Sequence, residues 1–454
     1  MTVDLIVKNG TIVSPAASRR GHLVIKDGKV LEILVRDALP DAARTIDATG
    51  LHVLPGLIDP HVHFRVPGLE YKEDFSTGSQ AAAAGGITTV IDMPNVNPLT
   101  AGVEGFQAKL ARVRGVSHVD FGFYAVIVEG NSREILPLAD AGVVGYKVFM
   151  GETVGNVPAP QDGEIIEAWR IVAQTGLRCG VHAEDNGIIL YLRKQLQDAG
   201  RTDPLAHLES RPSVAEAEAI SRAILFAREA KSRLMIYHMS AAEGVDLVRR
   251  GKDSGVDVTG ETTPHYLLME GQDMVRMNLG SMLKINPPVR SREHADALWR
   301  GLLDGTIEVI GTDHSPHTRQ EKMFDDRMGD IWKAAAGWPG VETNVPLMLT
   351  QVNAGRMTLN HYVKVQAEGA ARAWNLWPRK GHLGRGADGD VTIVDMTKER
   401  TIDQDRLHSK HKLTPFHGFH VKGLPVYTIV RGHVVMEGGE VVGKPRGELQ
   451  TPIV

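Results

Sequence analysis

Leu51-His52-Val53-Leu54-Pro55-Gly56-Leu57-Ile58-Asp59-Pro60-His61-Val62-His63-Phe64-Arg65 is an apolar run that ends in two histidines spaced i, i+2. In an extended strand such residues point to the same face, so His61 and His63 can aim ring nitrogens at one ion with no bend between them. The stretch reads as a strand whose C-terminal end carries metal ligands. An isolated His-x-His fits two ordinary pocket histidines equally well, so the rest of the chain has to decide.

Outward from this stretch, strand-like apolar runs alternate with helical patterns, the mark of a parallel α/β architecture. Eight strands are expected, at 51–61, 87–93, 119–127, 143–149, 177–182, 233–238, 256–261 and 307–312. Helices are expected between them, among them 104–114, 164–175, 214–230 and 293–303. The 214–230 helix begins at Ser213-Val214-Ala215-Glu216, a capping-box pattern, and carries Val214, Ala217, Ile220, Ile224 and Ala227 at helical spacing as core positions. Eight such units, with no Gly-x-Gly-x-x-Gly turn after the first strand, predict a closed (β/α)8 barrel over residues 54–383 rather than an open doubly wound sheet.

The two chain ends have a different texture. Residues 5–13 and 22–34 are β-rich and punctuated by Asn9-Gly10 and Asp27-Gly28, both hairpin signals. A related pattern returns at 390–394 and 426–435, so residues 1–53 and 384–454 are expected to build one small β-sandwich domain.

Composition narrows the function classes. The chain has 454 residues, of which 42% are hydrophobic and 23% charged, enough to bury a large core. Its net charge of -4 and lack of a sustained Lys/Arg cluster argue against a nucleic-acid partner. No uninterrupted apolar run is long enough for a membrane span, and the N-terminal residues lack a signal-peptide pattern, so a cytoplasmic location is expected. With Cys179 as the single cysteine, any metal must be held by nitrogen and oxygen ligands.

A barrel of this kind builds its active site at the C-terminal ends of its strands. Those ends carry His61 and His63 on the first strand and Lys147 on the fourth. The fifth ends at His182, the sixth at His238, and the eighth in Thr312-Asp313-His314-Ser315-Pro316-His317. One histidine at a strand end is an ordinary polar residue. Four histidines and an aspartate spread over four strand ends are a ligand set.

On these residues the chain resembles the amidohydrolase superfamily, specifically its cyclic amidohydrolases: dihydroorotase, allantoinase and hydantoinase. The resemblance covers essentially the whole chain. It implies two zinc ions per subunit, one on His61, His63 and Asp313 and the other on His182 and His238. Lys147, as N6-carboxylysine, and a hydroxide would be shared between them, with Asp313 as general base and then acid. Manganese, cobalt or iron would suit the same nitrogens and oxygens. It further implies a small cyclic amide or ureide as substrate and a homodimer or homotetramer.

Local motifs address the ring. Arg65, Asn95, Asn286 and His317 occupy positions that resemble the substrate residues of dihydroorotases, and an arginine fork suits the carboxylate of dihydroorotate. The first expectation is therefore reversible hydrolysis of L-dihydroorotate to N-carbamoyl-L-aspartate, in pyrimidine biosynthesis. Three departures leave an allantoinase or hydantoinase-type hydrolase as the alternative. The stretch 192–212 is longer than in compact dihydroorotases and, like 320–337, resembles allantoinases and hydantoinases, and Val66 stands where the dihydroorotase motif has Glu. A scaffold that keeps the barrel without catalysis is the remaining reading, against which all six ligand positions are filled.

Overall fold

The computed structural model of the protein describes residues 2–36, 38–152 and 157–454. Leu57–Val62, Ile87–Asp92, Asp120–Val126, Gly145–Phe149, Arg178–His182, Arg233–Ile236, Val258–Thr262 and Ile307–Ile310 form one parallel sheet in sequence order. The eighth strand meets the first beyond its own end. Val62 pairs in parallel with His314, and His63 N donates to His314 O at 2.8 Å. Buried Asp59 reinforces the closure, accepting from Thr312 N at 3.1 Å and Thr312 Oγ1 at 2.5 Å. The sheet is thus the expected barrel, with helices such as Val103–Val113, Asp162–Gln174, Ser213–Ala230 and Arg292–Asp304 between its strands.

The decisive stretch divides in two. His52–Pro55 belongs to the second sheet, pairing antiparallel with Val391–Val394, while Leu57–Val62 opens the barrel. Gly56 is the joint. Its N–H donates to Asp390 O at 2.8 Å, and a Cβ there would lie 2.4 Å from Thr88 Oγ1 and 2.5 Å from Asp390 Cβ. Unbroken apolar character cannot reveal this break, because both halves are buried.

The second sheet joins both chain ends, as expected. Val3–Val13 pairs with Ser18–Lys26, Ala42–Asp47 and His52–Pro55, and the C-terminal strands Val391–Thr401, His420–Val430, His433–Glu437 and Glu440–Val441 continue the sheet. Asp27-Gly28 forms the predicted hairpin turn, with Lys26 opposite Lys29. Asn9-Gly10 does not. It is a bulge inside Val3–Val13, where Asn9 adopts φ 64° and Gly10 leaves room for Val53. A cluster of Asp120, Asp388 and Asp390 joins barrel to β domain around Lys380 Nζ, at 2.7, 3.0 and 2.5 Å. This carboxylate group is filled by a lysine.

The expected capping box at Ser213 also fails to form. Pro212 is the N-cap, and the Glu216 carboxylate reaches away from its own helix to accept from Ser240 N at 2.8 Å and Ala241 N at 3.0 Å. Val214 is 55% exposed; the buried stripe runs through Ala215, Ala219, Ile220, Ala223, Ile224 and Ala227. The long-range hydrogen bonds offered by the loop after the sixth strand outcompete the local cap.

Candidate active site

His61, His63, Lys147, His182, His238 and Asp313 line one cavity at the C-terminal mouth of the barrel, together with Asn95, Phe149, Asn286 and Ser315. Three residues at this mouth leave their strands in the left-handed region: Arg65 at φ 62°, His238 at φ 38° and Asp313 at φ 47°. Each such conformation costs on the order of 1–3 kcal/mol in a non-glycine residue and persists only where surrounding contacts impose it. Here the reversal at Asp313 brings its carboxylate to the first-strand histidines.

The hydrogen-bond pattern assigns the ring tautomers. His61 Nδ1 donates to Glu261 Oε1 at 2.6 Å, and His63 Nδ1 to Asn95 Oδ1 at 2.8 Å. Burial holds both rings neutral, His61 pulled down to about 3 and His63 well below the ordinary histidine range. Each ring therefore keeps a lone pair on Nε2, and these lie 3.3 and 3.1 Å from Asp313 Oδ1. With Nδ1 carrying the hydrogen on both rings, three acceptor atoms face one another. A divalent cation is what this donor set fits, nitrogen and oxygen ligands backed by a carboxylate and an amide that fix the rings.

His182 repeats the arrangement. Its Nε2 donates to Glu184 Oε2 at 2.9 Å, which leaves the Nδ1 lone pair 3.0 Å from His238 Nε2. Glu184 is itself held by Arg211. His238 Nδ1 is buried with no hydrogen-bond partner, and burial pulls His238 well below the ordinary range. Lys147 is 1% exposed, with Nζ 3.8 Å from the centre of the Tyr237 ring, and burial pulls its amine down to about 7. Gly180 is required beneath it: a Cβ there would meet the Tyr237 ring at 1.9 Å.

The four expected substrate residues separate. Asn95 and Asn286 stand in the cavity wall. Arg65 is not among the described residues of that wall. It is 1% exposed, and its guanidinium donates to Ser315 Oγ at 2.8 Å. His317 lines a neighbouring chamber; its Nε2 donates to Ala336 O at 3.0 Å and its Nδ1 accepts from Lys72 Nζ at 3.2 Å. Arg65 thus holds Ser315 of the wall, and His317 holds Ala336 from the neighbouring chamber.

Glu261, Glu184 and Asp59 were not singled out by the sequence, yet each is fully buried against the ligand set. Glu261 also accepts from His238 N at 3.3 Å, so one carboxylate touches a member of each histidine pair. Burial raises it to about 8. Their signal in the sequence was present: Glu261 lies one residue from the end of the seventh strand and Glu184 two residues after His182.

Comparison with known proteins agrees with this geometry. The model of the family described as "Amidohydrolase family" matches residues 52–435. An L-hydantoinase of Paenarthrobacter aurescens is 40% identical over 442 residues, covering 97% of this chain and 96% of its own. An allantoinase of Rubrobacter xylanophilus is 38% identical over 456 residues, covering 99% and 98%. Among solved structures, the L-hydantoinase (dihydropyrimidinase) from Arthrobacter aurescens superposes with a TM-score of 0.96 at 40% identity, over 99% of this chain and 100% of that one. These relatives favour the hydantoinase and allantoinase reading over dihydroorotase, in accord with the placement of Arg65 outside the cavity wall. The chain belongs to the amidohydrolase family, whose members are metal-dependent.

Proposed function

We propose that the protein hydrolyses an amide bond within an imidazolidine-2,4-dione ring, the ring common to hydantoins and allantoin. The observation that carries this reading is the single cavity in which acceptor-only atoms of His61, His63 and Asp313 converge beside His182, His238 and Lys147. His61, His63 and Asp313 would hold one divalent ion and His182 and His238 a second, zinc being the proposed metal. Lys147, as an N6-carboxylysine, would contribute an anion to both. Bound there, the ions supply Lewis acidity toward the ring carbonyl and toward water.

The chain's own groups then do the rest. Asp313 takes a proton from the attacking water and gives it to the ring nitrogen as the C–N bond breaks, so the carboxylate ends in its starting state. Glu261, Asn95 and Glu184 fix the ring orientation and tautomer of His61, His63 and His182. Asn286, whose Oδ1 is buried with no hydrogen-bond partner, offers an acceptor to a ring N–H. No helix among the described residues is long and apolar enough to cross a membrane. A cytoplasmic homodimer or homotetramer is the proposed assembly, and light scattering checks the subunit number.

The test is ring opening of hydantoin, allantoin, dihydrouracil and L-dihydroorotate in parallel by metal-loaded protein. The highest kcat/KM is expected for one of the two five-membered rings. A preference for dihydroorotate by orders of magnitude would restore the pyrimidine reading, and no opening of any ring would remove the hydrolase reading.

A further inference from the structure

The two stretches that set this sequence apart from compact dihydroorotases meet in space. Trp332 Nε1 donates to Arg201 O at 2.7 Å, and Ile331 N donates to Thr202 O at 2.9 Å. Between them lies a chamber of about 290 Å3 whose wall includes Asn286 and Ala336, both shared with the metal-ligand cavity. A ring seated against Asn286 would therefore present its exocyclic substituent to this chamber.

The chamber is cationic. Lys72, Arg193, Arg211 and Lys284 line it, with Glu152 as the acidic residue among the described lining groups. Three of the cations have a carboxylate partner: Glu321 on Lys72 at 2.9 Å, Glu152 on Arg193 at 2.8 Å, and Glu184 on Arg211. Lys284 has none. Its Nζ, on a residue 8% exposed, donates to Ile331 O at 2.7 Å and Ala334 O at 2.6 Å, and both hydrogen bonds go to neutral carbonyls. Arg211 Nε is buried with no hydrogen-bond partner. With three of the four cations paired, the excess positive charge of this partly desolvated space rests on Lys284, where an incoming anion would meet an amine that has no counter-ion among the described residues.

We infer that this chamber selects rings carrying a carboxylate on a short exocyclic arm, held by Arg193 and Lys284. The inference rests on the ring-hydrolase reading and deepens it by naming the substituent. It also moves recognition of an anionic substrate from Arg65, which lies outside the cavity wall, to segments 192–212 and 320–337.

The test pairs 5-(2-carboxyethyl)hydantoin with its isosteric amide, 5-(2-carbamoylethyl)hydantoin. Two readouts are taken, kcat/KM of ring opening and affinity by calorimetry, for wild type, Arg193→Gln and Lys284→Met. Wild type is expected to favour the acid by about tenfold or more in both readouts, as a charge-assisted contact gives over a neutral one. Each substitution is expected to bring the acid-to-amide ratio toward one. Arg193 is partly exposed and on a helix, so its variant retains the test if Lys284→Met fails to fold. Equal or better use of the amide by wild type, or a ratio unmoved in Arg193→Gln, would overturn the inference and leave the hydrolase reading intact. Tighter binding of the acid without opening of either ring would do the reverse, keeping the anion chamber and sinking the hydrolase reading.

Discussion

Replacing Glu261 by Gln probes the support behind the proposed metal site with little change of shape. Glu261 is fully buried, its Oε1 accepts from His61 Nδ1 at 2.6 Å and His238 N at 3.3 Å, and its Oε2 has no hydrogen-bond partner. Glutamine can keep the carbonyl acceptor on His61 while removing the negative charge. A hydrogen bond to a charged group is worth about 1.5–3 kcal/mol and a neutral one about 0.5–1.5, so the loss is on the order of 1–1.5 kcal/mol. That corresponds to the lower end of the 10- to 100-fold loss of metal affinity that follows, on the order of magnitude, from removing a histidine's supporting carboxylate. Glu261→Leu removes the acceptor as well and leaves the Nδ1–H unsatisfied, which adds about 1–3 kcal/mol. The assay is competition against a chelator of known affinity, with metal content and kcat/KM measured on the same samples. The metal-free Gln protein is expected to melt no lower than wild type at neutral pH, because burial raises Glu261 to about 8 and the wild type must take up a proton or bury a charge on folding, a cost glutamine does not carry. Wild-type metal affinity in both variants would falsify the supporting role. Full metal content with lost turnover would also refute it, since Glu261 would then act on the substrate.

Other outcomes follow from the same geometry. Lys147→Ala is expected to lose metal and activity together and to regain both with a short carboxylic acid, measured by metal content and turnover; an active variant without added acid would discard the bridging role. Arg65→Ala is expected to slow neutral and carboxylated rings by similar factors, because the guanidinium holds Ser315, a residue of the cavity wall; selective loss of the carboxylated ring, seen in paired kcat/KM values, would return Arg65 to direct recognition. Gly180→Ala is expected to cost about 1–3 kcal/mol in denaturant unfolding through its clash with Tyr237; unchanged stability would contradict the packing beneath Lys147. Lys380→Met leaves Asp120, Asp388 and Asp390 together in a site where all are buried, and a loss of about 3–5 kcal/mol is expected from the same measurement.

The sequence by itself determined the barrel and which residues gather at its mouth. Strand and helix periods are local properties, and a ligand at a strand end needs no knowledge of its neighbours beyond the rule that barrel strands share one mouth. His61 and His63 are therefore legible from a spacing of two, and His182, His238 and Asp313 from their place after apolar runs. What the tertiary structure decided are the features set by contacts between distant segments. The break at Gly56 depends on Asp390 and Thr88, and Glu216 abandons a local cap for backbone of the loop after the sixth strand. Glu261 reaches His61 because Gly311 leaves space for its carboxylate, a Cβ there lying 2.8 Å from Oε2. A strand-end arginine suits a carboxylate, but that Arg65 takes a left-handed backbone and donates to Ser315 of the cavity wall is set by tertiary contacts that no local pattern shows. The chamber beside the site is the clearest case: its cations lie at positions 72, 193, 211 and 284, and only folding brings them to one place.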